Sequence, residues 1–504
     1  MVSRIKTVTF LGIDAFGIDV QVQILPNNKQ EIAIVGLPDK TVAESKERIK
    51  SSFHAMGLSL PFQRIAVNLS PADILKEGTH YDLPIALGIL AQMGVINELD
   101  LDGYVAIGEL ALDGALTSVS GVLPAALYAV ANNLGLICPK DSGSEAAWGG
   151  DLEILAPFNL IKLINHFKGQ QVLTRPEASV NETNLNYLDL KDIKGQESAK
   201  RVLEIAAAGG HNMLMMGPPG SGKSMLAARL PGILPPLEPK EALEVTMIHS
   251  LAGKLSDGKL LRHRPFRDPH HSSSLPALVG GGMKLQPGEI SLAHQGVLFL
   301  DELPEFKRST LESLRQPLET GSVTIARANS HVSYPSRFQL IAAMNPCKCG
   351  YLDDAGRSCG RAPKCAIDYQ SKISGPLFDR IDLHIDVPEV SMNELTSKKA
   401  STETSADIRK RVLMARDIQK ERSKDQQSVL LNSIADGTFL ESILHLSDPA
   451  HQFLIRASEK FKFSARGYMR LLRVSRTIAD LAQSETVEKE HIAEAISYRR
   501  MYFR

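Results

Sequence analysis

Apolar residues along the chain fall into short runs and helical stripes that divide it into three regions and a linker. Over residues 1–167, strand-like runs such as Ile32-Ala33-Ile34-Val35 and Arg64-Ile65-Ala66-Val67-Asn68-Leu69 alternate with helical stretches over 41–56 and 83–93. That alternation predicts an α+β or α/β domain. Residues 168–187 are polar, with few large apolar side chains, and read as a linker. Residues 188–390 form a second α/β region. Its strands include Met213-Leu214-Met215-Met216, Val297-Leu298-Phe299-Leu300 and Phe338-Gln339-Leu340-Ile341-Ala342-Ala343-Met344, and the first leads to a helix over 225–230. Residues 391–504 carry helical patterns only. Leu471, Val474, Ile478 and Leu481 recur there at the spacing of one buried helix face. The Ser/Thr/Lys-rich stretch over 393–407 reads as a flexible surface connection. The fold class is therefore multidomain α/β with an all-α C-terminus.

Length agrees, since 504 residues exceed what one hydrophobic core organises. Lys plus Arg and Asp plus Glu both number 57, so global charge argues for no partner, and a nucleic acid would need a local basic surface. Neither a membrane-spanning apolar run nor a secretory core is visible, and the chain reads as cytoplasmic with no membrane partner. Of five cysteines, Cys138 stands alone in an apolar stretch and reads as a buried thiol. Cys347, Cys349, Cys359 and Cys365 crowd one polar, glycine-containing loop over 346–366. In a reducing compartment that crowding indicates metal rather than disulfides, and four thiolates suit a closed, structural zinc site. Reduced free thiols are the alternative. Lys348, Arg357, Arg361 and Lys364 make the loop basic, which fits either a phosphate-backbone contact or a solvated surface.

Chemistry concentrates in the middle region. Gly217-Pro218-Pro219-Gly220-Ser221-Gly222-Lys223-Ser224 fits G-x-x-x-x-G-K-[ST] between a strand and a helix. Such a loop turns backbone N–H groups toward phosphate oxygens, with Lys223 reaching the β- and γ-phosphates and Ser224 a Mg²⁺ ligand. The strand Val297–Leu300 ends in Asp301 and Glu302, a magnesium-binding carboxylate and a general base for the attacking water. Asn345, ending the third strand, can hydrogen-bond that water or the γ-phosphate; strand-end turn chemistry is its other reading. Arg380, in Asp379-Arg380-Ile381-Asp382, suits an arginine finger reaching a neighbour's ATP, or else a surface salt bridge with Asp379 or Asp382.

These motifs resemble the magnesium-chelatase-like AAA+ proteins. So do Ala207-Ala208-Gly209-Gly210-His211-Asn212, Arg267-Asp268-Pro269-His270-His271, Val279-Gly280-Gly281-Gly282, Pro287-Gly288-Glu289-Ile290-Ser291-Leu292-Ala293-His294 and Ala343-Met344-Asn345-Pro346-Cys347. More narrowly, the chain resembles the bacterial YifB/ComM group over nearly its whole length. The resemblance implies a P-loop AAA+ core, a hexameric homo-oligomer with ATP sites between subunits, and a β-hairpin over 322–334 whose Arg327 and His331 face a pore. It also implies a helical lid with a sensor-2 arginine, Arg466 first; the spacing leaves Arg470 and Arg473 as alternatives.

Residues 1–167 resemble the Lon protease domain (ribosomal S5 domain 2-like), through Gly108-Glu109-Leu110 and Gly114. Where Lon-type enzymes carry their Ser and Lys, this chain has His80 and Leu123, and peptide hydrolysis needs a nucleophile and a base. The domain reads as proteolytically dead, with Thr79 as an alternative nucleophile.

The function implied by the resemblance is an ATP-dependent DNA motor, a helicase or branch-migration factor in homologous recombination during natural transformation. Its DNA partner would be single-stranded, duplex or branched, and its cofactors ATP, Mg²⁺ and Zn²⁺. The alternative is a chelatase-like remodeller of proteins or of metal insertion, without DNA translocation.

Overall fold

The computed structural model describes residues 2–26, 30–179, 187–255, 258–282, 285–327, 330–352, 357, 360–396, 403–424 and 431–499. In the N-terminal part, strands β1 (Ser3–Leu11), β2 (Asp14–Leu25), β3 (Glu31–Val35), β4 (Arg64–Ser70), β5 (Tyr104–Ala106), β6 (Gly135–Ile137) and β7 (Ile154–Leu155) form a mixed sheet in the order β3-β4-β2-β1-β5-β6-β7. Helix α1 (Lys40–Ala55) packs against α2 (Asp82–Gln92), and α2 and α3 (Val122–Ala131) pack on the sheet. Helix α1 starts one residue before its apolar pattern because Asp39 caps it, accepting from the Val42 N–H at 2.7 Å. Helix α2 is buried almost all round, which explains its continuous apolar sequence.

The segment after this domain is not free of it. The Trp148 indole donates to the Ser179 carbonyl, and Arg175 pairs with Asp151 at 3.2 Å.

The middle region begins with α4 (Glu197–Gly209) and carries strands β8 (Met213–Met216), β9 (Phe266–Arg267), β10 (Val297–Leu300), β11 (Ser322–Arg327), β12 (Ser330–Pro335), β13 (Gln339–Met344) and β14 (Leu383–Asp386); β11 and β12 pair as a separate antiparallel hairpin, and the other five form a fully parallel sheet. The order is β9-β10-β13-β8-β14. Strands β8, β10 and β13 are buried at every position, as expected when helices cover both faces of a parallel sheet. The helix expected over 225–230 is instead split into α5 (Lys223–Ala227) and a short helix Leu230–Ile233. Pro231 opens the second piece; it cannot donate to the preceding turn.

Helix α6 (Pro239–Leu251) joins the two regions. Its Ser250 hydroxyl donates to Glu145 of the N-terminal domain and accepts from the Gly121 N–H at 3.1 Å, all buried. The β1–β2 turn at Gly12 packs on Val332 and Ser333 of the hairpin.

Helices α7 (Ser405–Arg422), α8 (Ala465–Leu481) and α9 (Lys489–Ser497) organise the C-terminal region against α4. The stretch read as a flexible connection ends in structure: Thr404 and Asp407 form a reciprocal capping box that starts α7. Leu471, Val474 and Ile478 are buried. Among the described residues, no helix is long and apolar enough to cross a membrane.

Candidate functional site

Because β8 lies between β13 and β14 in the sheet, its carboxyl end sits between theirs, with Met216 opposite both Met344 and Asp386. The loop 217–224, Asn345 and Val387 thus leave one sheet edge together, where ligands of open parallel sheets bind. Gly217 admits no side chain: a Cβ there would stand 2.0 Å from the Val387 carbonyl oxygen. Gly220 and Gly222 have positive φ of 77° and 93° and open space on their Cβ side, so this stretch of backbone is accessible.

Lys223 is 7 % exposed and donates to the carbonyls of Gly217 and Pro218, both at 2.8 Å, and to Asn345 Oδ1 at 3.2 Å. Burial lowers the pKa of its ammonium, against the pull of Asp301 and Glu302. Ser224 Oγ donates to Asp301 Oδ2 at 2.6 Å, joining two motifs 77 residues apart. Glu302 lies in the left-handed region at φ 51°, and its N–H donates to Asp301 Oδ1 at 2.8 Å. That conformation is uncommon for a residue other than glycine. Lys223, Ser224, Asp301 and Asn345 are therefore joined in one place, with Glu302 next to Asp301.

Three neighbours carried no assigned role in the sequence. His271 Nδ1 stands 3.3 Å from Glu302 Oε2, with its ring against His270 and Phe306. Burial and Asp301 together raise the pKa of Asp268. Gln196 Nε2 donates to the Pro388 carbonyl at 2.5 Å, bridging the start of α4 to the end of β14. The signal for the first two was the Arg267-Asp268-Pro269-His270-His271 run. Its place became visible only with the pairing of β9 and β10, Arg267 opposite Leu298.

Arg380 is 8 % exposed. It pairs with Glu319, a partner the sequence did not name, and donates to the Pro376 carbonyl at 2.5 Å. Asp382 is taken by His211 Nδ1 at 3.3 Å and by Arg470 Nε at 3.4 Å. Arg473 donates to the carbonyls of Ala435 and Ser433. Arg466 is exposed in the first turn of α8.

The thiols of Cys347, Cys349 and Cys365 all lie within 4.8 Å of one another. Cys359 and the Arg327 side chain lie outside the described residues. The basic residues of the cysteine loop divide. Arg357 pairs with Glu389 and covers the Tyr351 ring, and Arg361 lies 3.6 Å from Asp368, whereas Lys348 and Lys364 are exposed. His331 is exposed on the hairpin. In the N-terminal domain, His80 is buried with Nε2 donating to the Val8 carbonyl at 2.9 Å, and Leu123 is fully buried.

Models of one protein family match three stretches of the chain. The family model described as magnesium chelatase, subunit ChlI matches residues 189–395. The one described as subunit ChlI of Mg-chelatase matches 20–142, and the ChlI C-terminal model matches 402–499. The chain is 43% identical over 496 residues to the competence protein ComM of Haemophilus influenzae, covering 97% of this chain and 96% of that protein. It is 41% identical over 500 residues to YifB of Escherichia coli, covering 99% and 97%. The magnesium-chelatase 67 kDa subunit of Heliobacterium mobile is 28% identical over 228 residues, 40% of this chain and 33% of that subunit.

Proposed function

The chain belongs to the magnesium-chelatase-like family that includes ComM and YifB, and on that footing we propose that it is an AAA+ ATPase whose ring moves along DNA. The observation that carries the ATPase reading is the single cluster of Lys223, Ser224, Asp301 and Asn345 at the carboxyl edge of the sheet, with Glu302 beside it.

In this reading the backbone of 217–222 receives the nucleotide phosphates and Lys223 turns from its carbonyl partners to the β- and γ-oxygens. Two hard oxygen ligands 2.6 Å apart, Ser224 Oγ and Asp301 Oδ2, fit Mg²⁺. Once bound, the ion would neutralise charge between the phosphates. Glu302 takes the proton of the attacking water, and Asn345 orients that water or the γ-phosphate. Arg380 exchanges Glu319 for a neighbouring subunit's ATP, and Arg466 reaches ATP from the lid.

The same reading divides the chain into a degenerate Lon-like domain (1–167), a linker (168–187), the ATPase core with its zinc loop (188–390) and a helical lid (391–504). It places the protein in the cytoplasm as a hexamer, with Zn²⁺ on the four loop cysteines. The similarity to a competence protein supports a role in natural transformation, and branch migration is the work this reading assigns to the ring there. The test is a four-way-junction assay with ATP at fixed salt, using wild type and Lys223→Ala. Junction movement by wild type alone supports the motor. ATP turnover and assembly on DNA without movement of any junction or fork reject it in favour of a chelatase-like remodeller.

A further inference from the structure

The cysteine loop touches the P-loop itself. Strand β13 ends at Met344, whose carbonyl accepts from the Gly217 N–H at 3.2 Å, and the next residue, Asn345, accepts from Lys223. The Pro346 carbonyl is held by Gln370 Nε2 at 2.6 Å. The chain then reverses within four residues, the Gly350 N–H donating to the Cys347 carbonyl at 3.0 Å. Gly350 (φ 86°) arrives flat against the P-loop: a Cβ there would lie 2.4 Å from Pro219 Cδ and 2.7 Å from Cγ. Two contacts, Asn345 on Lys223 and Gly350 on Pro219, thus bracket the two-cysteine turn.

Beside the second contact lies a cavity of about 290 Å³ whose lining includes Gly217 and Pro218, Gly350 and Tyr351, and Arg357 and Glu389. Besides the Gln370–Pro346 hydrogen bond and the Arg357–Glu389 pair, the thiols are placed to fasten the turn. Cys347 and Cys349 Sγ are 3.0 Å apart, and Cys365, from the helix Lys364–Gln370, is within 4.8 Å of both. The thiols are free, and their spacing within 4.8 Å is compatible with the sulfur–sulfur distance of about 3.8 Å that follows from tetrahedral ligation at about 2.3 Å.

We propose that the cysteine loop is a metal-held latch on the P-loop: a thiophilic divalent ion such as zinc, ligated by Cys347, Cys349 and Cys365, keeps Gly350 seated on Pro219, and its loss weakens nucleotide binding. The latch rests on the reading of 217–224 as a nucleotide site. It makes metal occupancy and thiol oxidation controls on that site.

The experiment is an equilibrium titration of full-length protein with a fluorescent ATP analogue in excess Mg²⁺ and reductant, with metal content measured in parallel. Wild type is assayed as purified, after a thiol-competing chelator, and after return of zinc; Cys365→Ser and Gly350→Ala follow. Circular dichroism and thermal melting establish that each is folded. Stripped protein and Cys365→Ser are expected to bind the analogue about tenfold more weakly, with zinc restoring the stripped wild type. Gly350→Ala keeps every thiol, so it is expected to hold its metal and still bind about tenfold more weakly. Stripped, folded protein that binds as tightly as the loaded form overturns the latch, as does a metal-loaded Gly350→Ala with wild-type affinity. Failure to take up any zinc overturns it as well. Loaded wild type that binds no nucleotide at all refutes the underlying P-loop reading instead, and Lys223→Ala provides the reference for that result.

Discussion

His271 Nδ1 and Glu302 Oε2 are 3.3 Å apart, so the imidazole contacts the carboxylate assigned to activate water. The Glu302 side chain is otherwise half exposed, and His271 is positioned to orient it. Glu302→Gln is expected to keep nucleotide affinity, because Ser224 and Asp301 remain, while kcat falls by about 10²-fold or more. His271→Ala should lower kcat less, with KM unchanged, because it removes an orienting contact and no phosphate ligand. Steady-state turnover alongside analogue binding checks both; near-normal turnover in Glu302→Gln would falsify the base assignment.

Arg380 is tied within its own chain to Glu319, and a finger must leave that partner to act on a neighbour. Arg380→Ala should bind ATP yet lose about 10³-fold in kcat. Mixing it with Lys223→Ala should restore turnover, since each variant damages a different half of a shared site. Confirmed mixed rings without recovery refute action in trans.

The lid meets the core through Asp382, buried between His211 and Arg470, while His211 Nε2 reaches Thr477 Oγ1 at 2.7 Å. Asp382→Ala strands the Arg470 guanidinium, which is only 13% exposed. Removing one partner of such a pair costs about 3–5 kcal/mol. Urea unfolding should show that loss, with Asp382→Asn intermediate because its amide retains part of the hydrogen bonding. An unchanged midpoint in Asp382→Ala rejects the joint.

Acid should destabilise the N-terminal domain through His80, whose pKa burial pushes down to about 4 from 6.5. Below pH 6.5 the unfolded chain takes up this proton first, so stability falls as pH drops from 6.5 toward 4. The total is on the order of 3 kcal/mol. Glu145, raised by burial, works in the opposite sense, so comparing wild type with a His80→Gln variant isolates the histidine. The difference in unfolding free energy between them should vary with pH in that window; a pH-independent difference refutes the assignment.

The residues that sequence alone identified act through local rules. A glycine-spaced loop before Lys223-Ser224, carboxylates ending an apolar strand, and Leu471, Val474 and Ile478 on one helix face each depend on a few consecutive residues. Local chemistry also set the start of α7, although composition alone suggested a flexible stretch there; Thr404 and Asp407 satisfy N–H groups that composition does not count. Partners distant along the chain were decided by packing. Strand order placed His271 beside Glu302, the fold of 319–380 gave Arg380 to Glu319, and lid docking gave Asp382 to Arg470. Periodicity reports which face of an element is buried, whereas the choice among several nearby carboxylates depends on distances of a few ångströms that only the assembled sheet and lid determine.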